Sequence, residues 1–264
     1  MHICVEKIIG FTYNEPMNLS QKIRVSVAMV TYNSEKFLRP QLDTIIENLT
    51  DDDEIIISDD GSKDTTIQII EEYANKDRRI HLFHNEGKHG VDGNYENALR
   101  NVRGEYIFLS DDDNVWLPSK VDKVLSVFLA DDRVSMVMHN CYIADEKLDI
   151  MCNSFFQNRQ AKPGIIRNII KTSYGGSLIA FRSEMLKRLL PFPKKMPYFY
   201  DEWIGMMCTK YGKVSFLEEQ LSYWRRHSNS QSTQFLPKPK KGKMKRFWIR
   251  ISTRIKKFWF AIRY

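Results

Sequence analysis

Between Lys22 and Arg182, short β-branched runs alternate with amphipathic stretches, and this cadence constrains the fold more than any other feature of the chain. Arg24 to Thr31, Glu54 to Ser58, Arg79 to His84, Glu105 to Ser110 and Val134 to His139 read as strands. Several are too continuously apolar to leave one face in water, which implies a layered α/β sheet covered on both sides. Between them Leu38, Leu42, Ile45 and Leu49, and later Val121, Val124, Leu125 and Phe128, recur at helical spacing. Ser34, Ser62 with Asp64, and Pro118 supply helix-start signals. Strand, helix, strand in this order gives right-handed parallel crossovers. Further along, Asn153 to Pro163 reads as a loop, Ser177 to Arg182 as a strand and Glu202 to Tyr211 as a short helix.

Each of the first four strands runs into a polar or glycine-bearing cluster: Thr31-Tyr32-Asn33, then Asp59-Asp60-Gly61-Ser62, then Asn85 to Gly93, then Asp111-Asp112-Asp113-Asn114. In an open parallel sheet the carboxyl edge is where ligands bind, close to the reversal of strand order. Any one cluster is explained equally well by a turn or a helix cap. Together on one edge they point to one composite site. Asp111 to Asp113 is the hardest to read as a turn, because three consecutive carboxylates repel one another unless donors or a cation compensate them. Hard oxygen ligands suit Mg²⁺ or Mn²⁺, which one or two carboxylates hold together with substrate phosphates.

Several classes lack their signatures. No GxGxxG follows the first strand and no GxxxxGK[ST] occurs, so dinucleotide oxidoreductases and P-loop enzymes are not indicated. Cys4, Cys141, Cys152 and Cys208 have no CxxC spacing, which argues against a zinc site or a disulfide framework. No apolar run reaches the roughly 18 residues of a spanning helix, and Met1 to Gly10 carries no cleavage pattern. A cytoplasmic protein is the expectation.

The strings VSVAMVTYNSEKFLRPQL, IIISDDGSKD, NALRNVRGEYIFLSDDDNVW, YDEWIG and YWRRHSNSQS, in this order, resemble a family 2 glycosyltransferase of the GT-A fold over roughly residues 24 to 232. The SDDDNVW and RHSNSQS segments are most similar to the bacterial rhamnosyltransferase-like branch that builds cell-surface polysaccharide. The resemblance implies a Rossmann-like, mostly parallel α/β sheet flanked by helices, and an inverting transfer from a nucleotide-diphospho-sugar to a hydroxyl of a growing polysaccharide or lipid-linked glycan. It implies that Thr31, Tyr32 and Asn33 wall the nucleotide pocket and that Asp60, with Asp59 beside it, hydrogen-bonds the base. Asp111 and Asp113 match the outer positions of a DxD signature. Asp113 is then the expected direct ligand of Mn²⁺ or Mg²⁺, with Asp111 or Asp112 on the ribose or a metal-bound water. Asn94 is a candidate sugar contact.

Asp201 matches the catalytic base, with Glu202 in reserve, since neighbours on a helix point about 100° apart and only one can face the acceptor. His227 matches a late histidine that reaches the metal near the diphosphate; a surface or hydrogen-bonded histidine is the other reading, and Arg225 and Arg226 suit diphosphate oxygens. Two departures stand out. The related branch usually has DQDD where this chain has Asp111-Asp112-Asp113-Asn114, and often HDW where it has Tyr200-Asp201-Glu202. Tyr174-Gly175-Gly176-Ser177 falls in the half that usually meets the acceptor.

The net charge of +7 belongs to one segment: residues 237–264 hold 11 of the 40 Lys and Arg and no Asp or Glu, leaving a mildly acidic body. From Arg246 to Arg263, Trp248, Ile251, Ile255, Phe258, Trp259 and Ile262 share one helical face, opposite Arg246, Arg250, Arg254 and Lys257. The expected organisation is an N-terminal extension over 1–21, a GT-A domain over 22–236 and a basic amphipathic tail over 237–264 that follows a Pro-Lys linker. The tail is expected to bind the anionic inner face of the cell membrane peripherally, the alternative being a helix packed on the domain. A metal-dependent nucleotidyltransferase and a nucleic-acid-binding protein acting through the tail are the competing functions; nucleic acid is not the expected partner.

Overall fold

The computed structural model describes residues 23–227, 254–260 and 262–263. The expected N-terminal extension, the Pro-Lys linker and the tail as far as residue 253 lie outside the described residues.

Strands β1 (Val25–Thr31), β2 (Asp53–Asp59), β3 (Ile80–His84) and β4 (Tyr106–Ser110) pair in parallel in the order β3-β2-β1-β4. Helices α1 (Leu38–Ile46), α2 (Thr66–Ala74) and α3 (Val91–Asn101) supply the crossovers. The alternation within β1 explains its apolar run from Val27 to Val30. Val25, Val27 and Met29 enter a core with Leu38, Leu42 and Ile45 of α1, whereas Ala28 and Val30 enter the opposite core with Tyr95, Ala98 and Leu99 of α3. With both faces buried, a polar side chain needs a partner, as Ser26 finds in Glu54 at 2.6 Å. The chain goes from β1 outward to β3 and returns to place β4 on the other side of β1, so strand order reverses between β1 and β4. The crevice at their carboxyl ends is the switch point of the sheet.

The flanked α/β sheet is as expected, and its second half adds mixed strand directions to the parallel first half. It contains β5 (Val115–Trp116), α4 (Lys120–Ala130), β6 (Val134–Ala144), β7 (Ile150–Cys152), α5 (Phe155–Arg159), α6 (Ile165–Ile170), β8 (Ile179–Arg182), α7 (Leu186–Leu189), α8 (Tyr200–Tyr211) and β9 (Lys213–Arg225). The order continues β4-β8-β6-β9-β5, with β8 antiparallel to both its neighbours, β5 antiparallel to β9, and only β6 and β9 parallel. Antiparallel neighbours need no long crossover, so short helices suffice between β6 and β8. The expected loop at Asn153 to Pro163 contains α5, whose Phe155 and Phe156 are buried. No helix among the described residues is long and apolar enough to cross a membrane.

Candidate functional site

The ends of β1 and β2 are tied together by their own polar residues. Thr31 Oγ1 donates to Asp59 Oδ2 at 2.8 Å. Asp59 is fully buried and also accepts the Gly61 and Ser62 amides at 2.9 and 2.8 Å, which folds the turn after β2 around one carboxylate. Gly61 takes φ +85°, a conformation in which a side chain would be strained. Asn33 crosses to the same turn, its amide donating to Ser62 Oγ and its Oδ1 accepting the Lys63 amide. Asn94 is buried at the start of α3, where it accepts from Ser58 Oγ at 2.6 Å and donates to the Thr31 carbonyl at 3.1 Å. Both ends of its amide are thus occupied within the fold. Asp60 gathers the third cluster: Asn85 Nδ2 and the Gly90 amide each donate to it at 2.7 Å, and His89 Nδ1 lies 2.9 Å away. Tyr32 stands exposed at the rim.

The acidic run after β4 fans into three different environments. Asp111 accepts from Tyr95 Oη at 2.9 Å and lies 3.5 Å from Tyr200 Oη, and the two tyrosine rings stack with centroids 4.0 Å apart. Asp112 accepts from Ser34 Oγ. Asp113 lies 3.0 Å from His227 Nε2, while its carbonyl accepts from Arg225 Nε at 2.8 Å. Asn114 fastens the whole segment, its Oδ1 accepting the Arg225 amide and its Nδ2 donating to Ser177 Oγ at 3.1 Å. The loss of a fourth acid in this string is therefore a structural substitution.

Burial, and then the Asp113 charge, push Asp111 up to about 6 and Asp112 up to about 7. Arg225 and Arg226 interact electrostatically with Asp113, and Arg226 also with Asp111. Among the described residues no three acidic, histidine or cysteine groups form a ready-made chelate. Asp113 beside the His227 imidazole, next to the Asp111 and Asp112 carboxyls, suits a hard divalent cation whose remaining positions are filled by substrate phosphates and water.

Across the crevice, Asp201 sits in the first turn of α8, its Oδ1 accepting the Glu202 amide at 2.8 Å. Burial raises it to about 7, and the charges of Glu202, Asp111 and Asp92 add to the effect. The run of α8 is set by Tyr200, whose amide donates to Asp92 Oδ1 at 3.0 Å and whose hydroxyl points to Asp111. The double glycine seats the same ring: a Cβ on Gly176 would lie 1.8 Å from Tyr200 Oη, and one on Gly205 would lie 2.5 Å from the Tyr174 ring. Glu202 is used differently, reaching back toward the Phe199 amide and pairing with Lys257 Nζ at 2.5 Å. Asp201 thereby has no part in the Lys257 ion pair, and its carboxylate accepts the Glu202 amide instead.

Sequence reasoning did not find Tyr95 or Tyr200 as contacts of Asp111; their hydroxyl chemistry is hidden because aromatic residues at helical spacing read as core. It also missed Arg159, at the end of α5, whose guanidinium stands over the Phe155 ring and interacts electrostatically with Asp201 and Arg226.

Residues 26–190 match the model of the family described as Glycosyl transferase family 2. An uncharacterised glycosyltransferase of Nostoc is 28% identical over 214 residues, which cover 78% of this chain and 65% of the relative, so this chain spans a little under two thirds of that protein. An Escherichia coli protein named as a UDP-Glc:alpha-D-GlcNAc-diphosphoundecaprenol beta-1,3-glucosyltransferase is 26% identical over 204 residues, covering 71% of this chain and 76% of the relative. Among solved structures, a Pyrobaculum calidifontis mannosyltransferase in complex with GDP-Man and Mn²⁺ superposes with a TM-score of 0.61 at 20% identity, covering 95% of this chain and 68% of that one. That likeness is one of fold, and it agrees with the GT-A architecture expected from the sequence.

Proposed function

The chain belongs to glycosyl transferase family 2, and on that premise we propose that it is an inverting glycosyltransferase. It takes a nucleotide-diphospho-sugar and transfers the sugar to a hydroxyl of a cell-surface polysaccharide or lipid-linked glycan. The observation that carries this reading is the pairing of two acidic centres across Tyr200. Asp111 to Asp113 lie on one side and Asp201 on the other, and burial raises the Asp111, Asp112 and Asp201 carboxyls toward neutrality. One centre is suited to hold a leaving group and the other to accept a proton.

Asp201 takes the proton of the acceptor hydroxyl as its oxygen attacks the anomeric carbon from the face opposite the departing diphosphate, which inverts the configuration. With its value near 7, the carboxyl is ionised often enough at neutral pH to accept that proton and is basic enough to hold it. Asp111, Asp113 and His227 would hold Mn²⁺ or Mg²⁺, which when bound supplies Lewis-acid stabilisation of charge on the leaving diphosphate. Tyr32, Asn33 and Asp60 bound the nucleoside side at the ends of β1 and β2. Thr31, Asp59 and Asn94 keep that wall in shape through the hydrogen bonds they make within the fold.

The donor chemistry is supported by the nucleotide sugars in the names of the E. coli and Pyrobaculum proteins. The test is incubation of the chain with Mn²⁺ and a panel of UDP-, GDP- and dTDP-sugars, scored for nucleoside-diphosphate release. Release of diphosphate from one donor supports the reading. Pyrophosphate release from a nucleoside triphosphate, with none of the panel consumed, would replace it with nucleotidyl transfer.

A further inference from the structure

The helix at residues 254–260 and 262–263 meets the domain through one face and turns the other away. Lys257 Nζ pairs with Glu202, the Tyr198 hydroxyl donates to the Lys257 carbonyl, and Phe260 stands edge-on to Tyr198 and Trp203 with centroids 5.8 Å away in both cases. At roughly 100° per residue, Lys257 and Phe260 project opposite Ile255, Phe258, Trp259 and Ile262. Those four side chains are 52, 47, 66 and 58% exposed. The apolar stripe read from the sequence is therefore not the surface that docks the helix. The described docking contacts are made by Lys257 and Phe260, and the more hydrophobic face remains outside.

Further exposed apolar side chains belong to elements next to the helix. Phe199, just before α8, is exposed, and so are Ile166 and Ile170 of α6. Helix α6 packs on α8, and a small cavity lined by Ile165, Tyr198 and Glu202 joins the two. Arg254 and Lys256 flank the stripe on either side and are exposed. They belong to the segment that carries 11 cations and no acid. An occupant must therefore be apolar at its centre and anionic around it. A second copy of the chain would bring together two segments rich in cations and lacking acids, which electrostatics opposes.

We propose that this face docks on an anionic phospholipid bilayer, with the helix lying in the interface plane. The stripe enters the boundary between headgroups and acyl chains, and Arg254 and Lys256 stay at the level of the phosphates. Because Lys257 holds Glu202, the residue after Asp201, the docked bilayer lies beside the start of α8. An acceptor carried on a lipid then meets Asp201 from the membrane side; this consequence rests on Asp201 being the base, whereas the docking does not.

The experiment is flotation of the full chain with phosphatidylcholine vesicles, with and without phosphatidylglycerol, alongside the double variant Phe258→Ser/Trp259→Ser. Both substituted side chains point away from the domain, so the thermal midpoint and the nucleoside-diphosphate release measured without vesicles are expected to stay unchanged. The unmodified chain is expected to float with phosphatidylglycerol vesicles only and to be released by salt. The double variant is expected to lose at least tenfold in bound-to-free ratio, about 1.4 kcal/mol. Equal flotation of both proteins, equal binding to neutral and anionic vesicles, absence of binding, or a dimer dissolved by the double substitution would each overturn the proposal. Donor turnover is read separately, so the enzymatic reading and the docking can fail independently.

Discussion

Glu202→Gln probes whether the ionisation of Asp201 governs turnover. Burial is the main reason that the Asp201 carboxyl rises from 3.8 to about 7, and the neighbouring Glu202 charge is the next. A base works only when ionised, and one pH unit below its midpoint about a tenth of it is, against about nine tenths one unit above. Turnover at saturating donor is therefore expected to fall close to tenfold from pH 8 to pH 6. Removing the Glu202 charge withdraws a repulsion and also frees Lys257, whose Nζ lies 2.5 Å from Glu202. Both changes favour the Asp201 carboxylate. At the roughly 7 Å typical of adjacent carboxyls and an effective dielectric of about 20, the repulsion is about 2 kcal/mol. After salt screening that leaves a displacement of about one pH unit toward acid. The assay is nucleoside-diphosphate release from the donor selected by the panel, followed from pH 5.5 to 8.5 in the unmodified chain, Glu202→Gln and Asp201→Asn. Asp201→Asn should lower turnover by about 10² to 10⁴ and remove the acid limb. Superimposable limbs in the unmodified chain and Glu202→Gln, or full turnover in Asp201→Asn, would refute the reasoning.

Asp201→Asn has a second consequence that needs no substrate. The folded-state value lies above the unfolded one, so the ionised carboxyl costs stability as pH rises above about 4, and the whole cost is present above 7. Thermal melts should show the variant stabilised at pH 8 and much less so at pH 5. Asp113→Asn should weaken UDP binding at least tenfold by calorimetry in Mn²⁺ and change it little in chelator, since it loses an expected metal ligand and not a nucleotide contact. Gly176→Ala places a methyl 1.8 Å from Tyr200 Oη and must move a ring stacked on Tyr95, so kcat should drop tenfold or more while donor KM changes less. Gly104→Ala meets main chain at Ser26 N and Val25 C, 2.5 and 2.7 Å away, which cannot yield as a side chain does. A loss of about 2 to 3 kcal/mol in urea unfolding is expected, with activity per folded molecule retained.

The parallel half of the sheet was legible because burial on both faces favours apolar residues along β1, β2 and β4, whose centres stand out as apolar runs, while the edge strand β3 is only half-buried. Strand β9 was not legible. Its Lys213–Arg225 sequence carries Glu218 and Glu219 at its centre, pairs with β6 through register shifts and keeps much of its length half-exposed, so no period emerges. Yet β9 is what delivers Arg225 and His227 to Asp113, more than a hundred residues earlier in the chain. The C-terminal helix posed the reverse difficulty. Its apolar stripe was plain in the sequence, but Phe260, outside that stripe, makes the contacts with Tyr198 and Trp203. Periodicity finds a face without saying what it faces. The polar clusters show the same limit at the level of single residues, because an aspartate after a strand has one sequence appearance whether it folds a turn or binds a ligand. Asp59 and Asn94 spend their hydrogen-bonding capacity inside the fold. Asp111, Asp112 and Asp201 hold carboxyls that burial and mutual repulsion push toward neutrality. On the proposed function, that difference in ionisation is what marks Asp111, Asp112 and Asp201 as candidates for chemistry, and Asp59 and Asn94 as residues that shape the site.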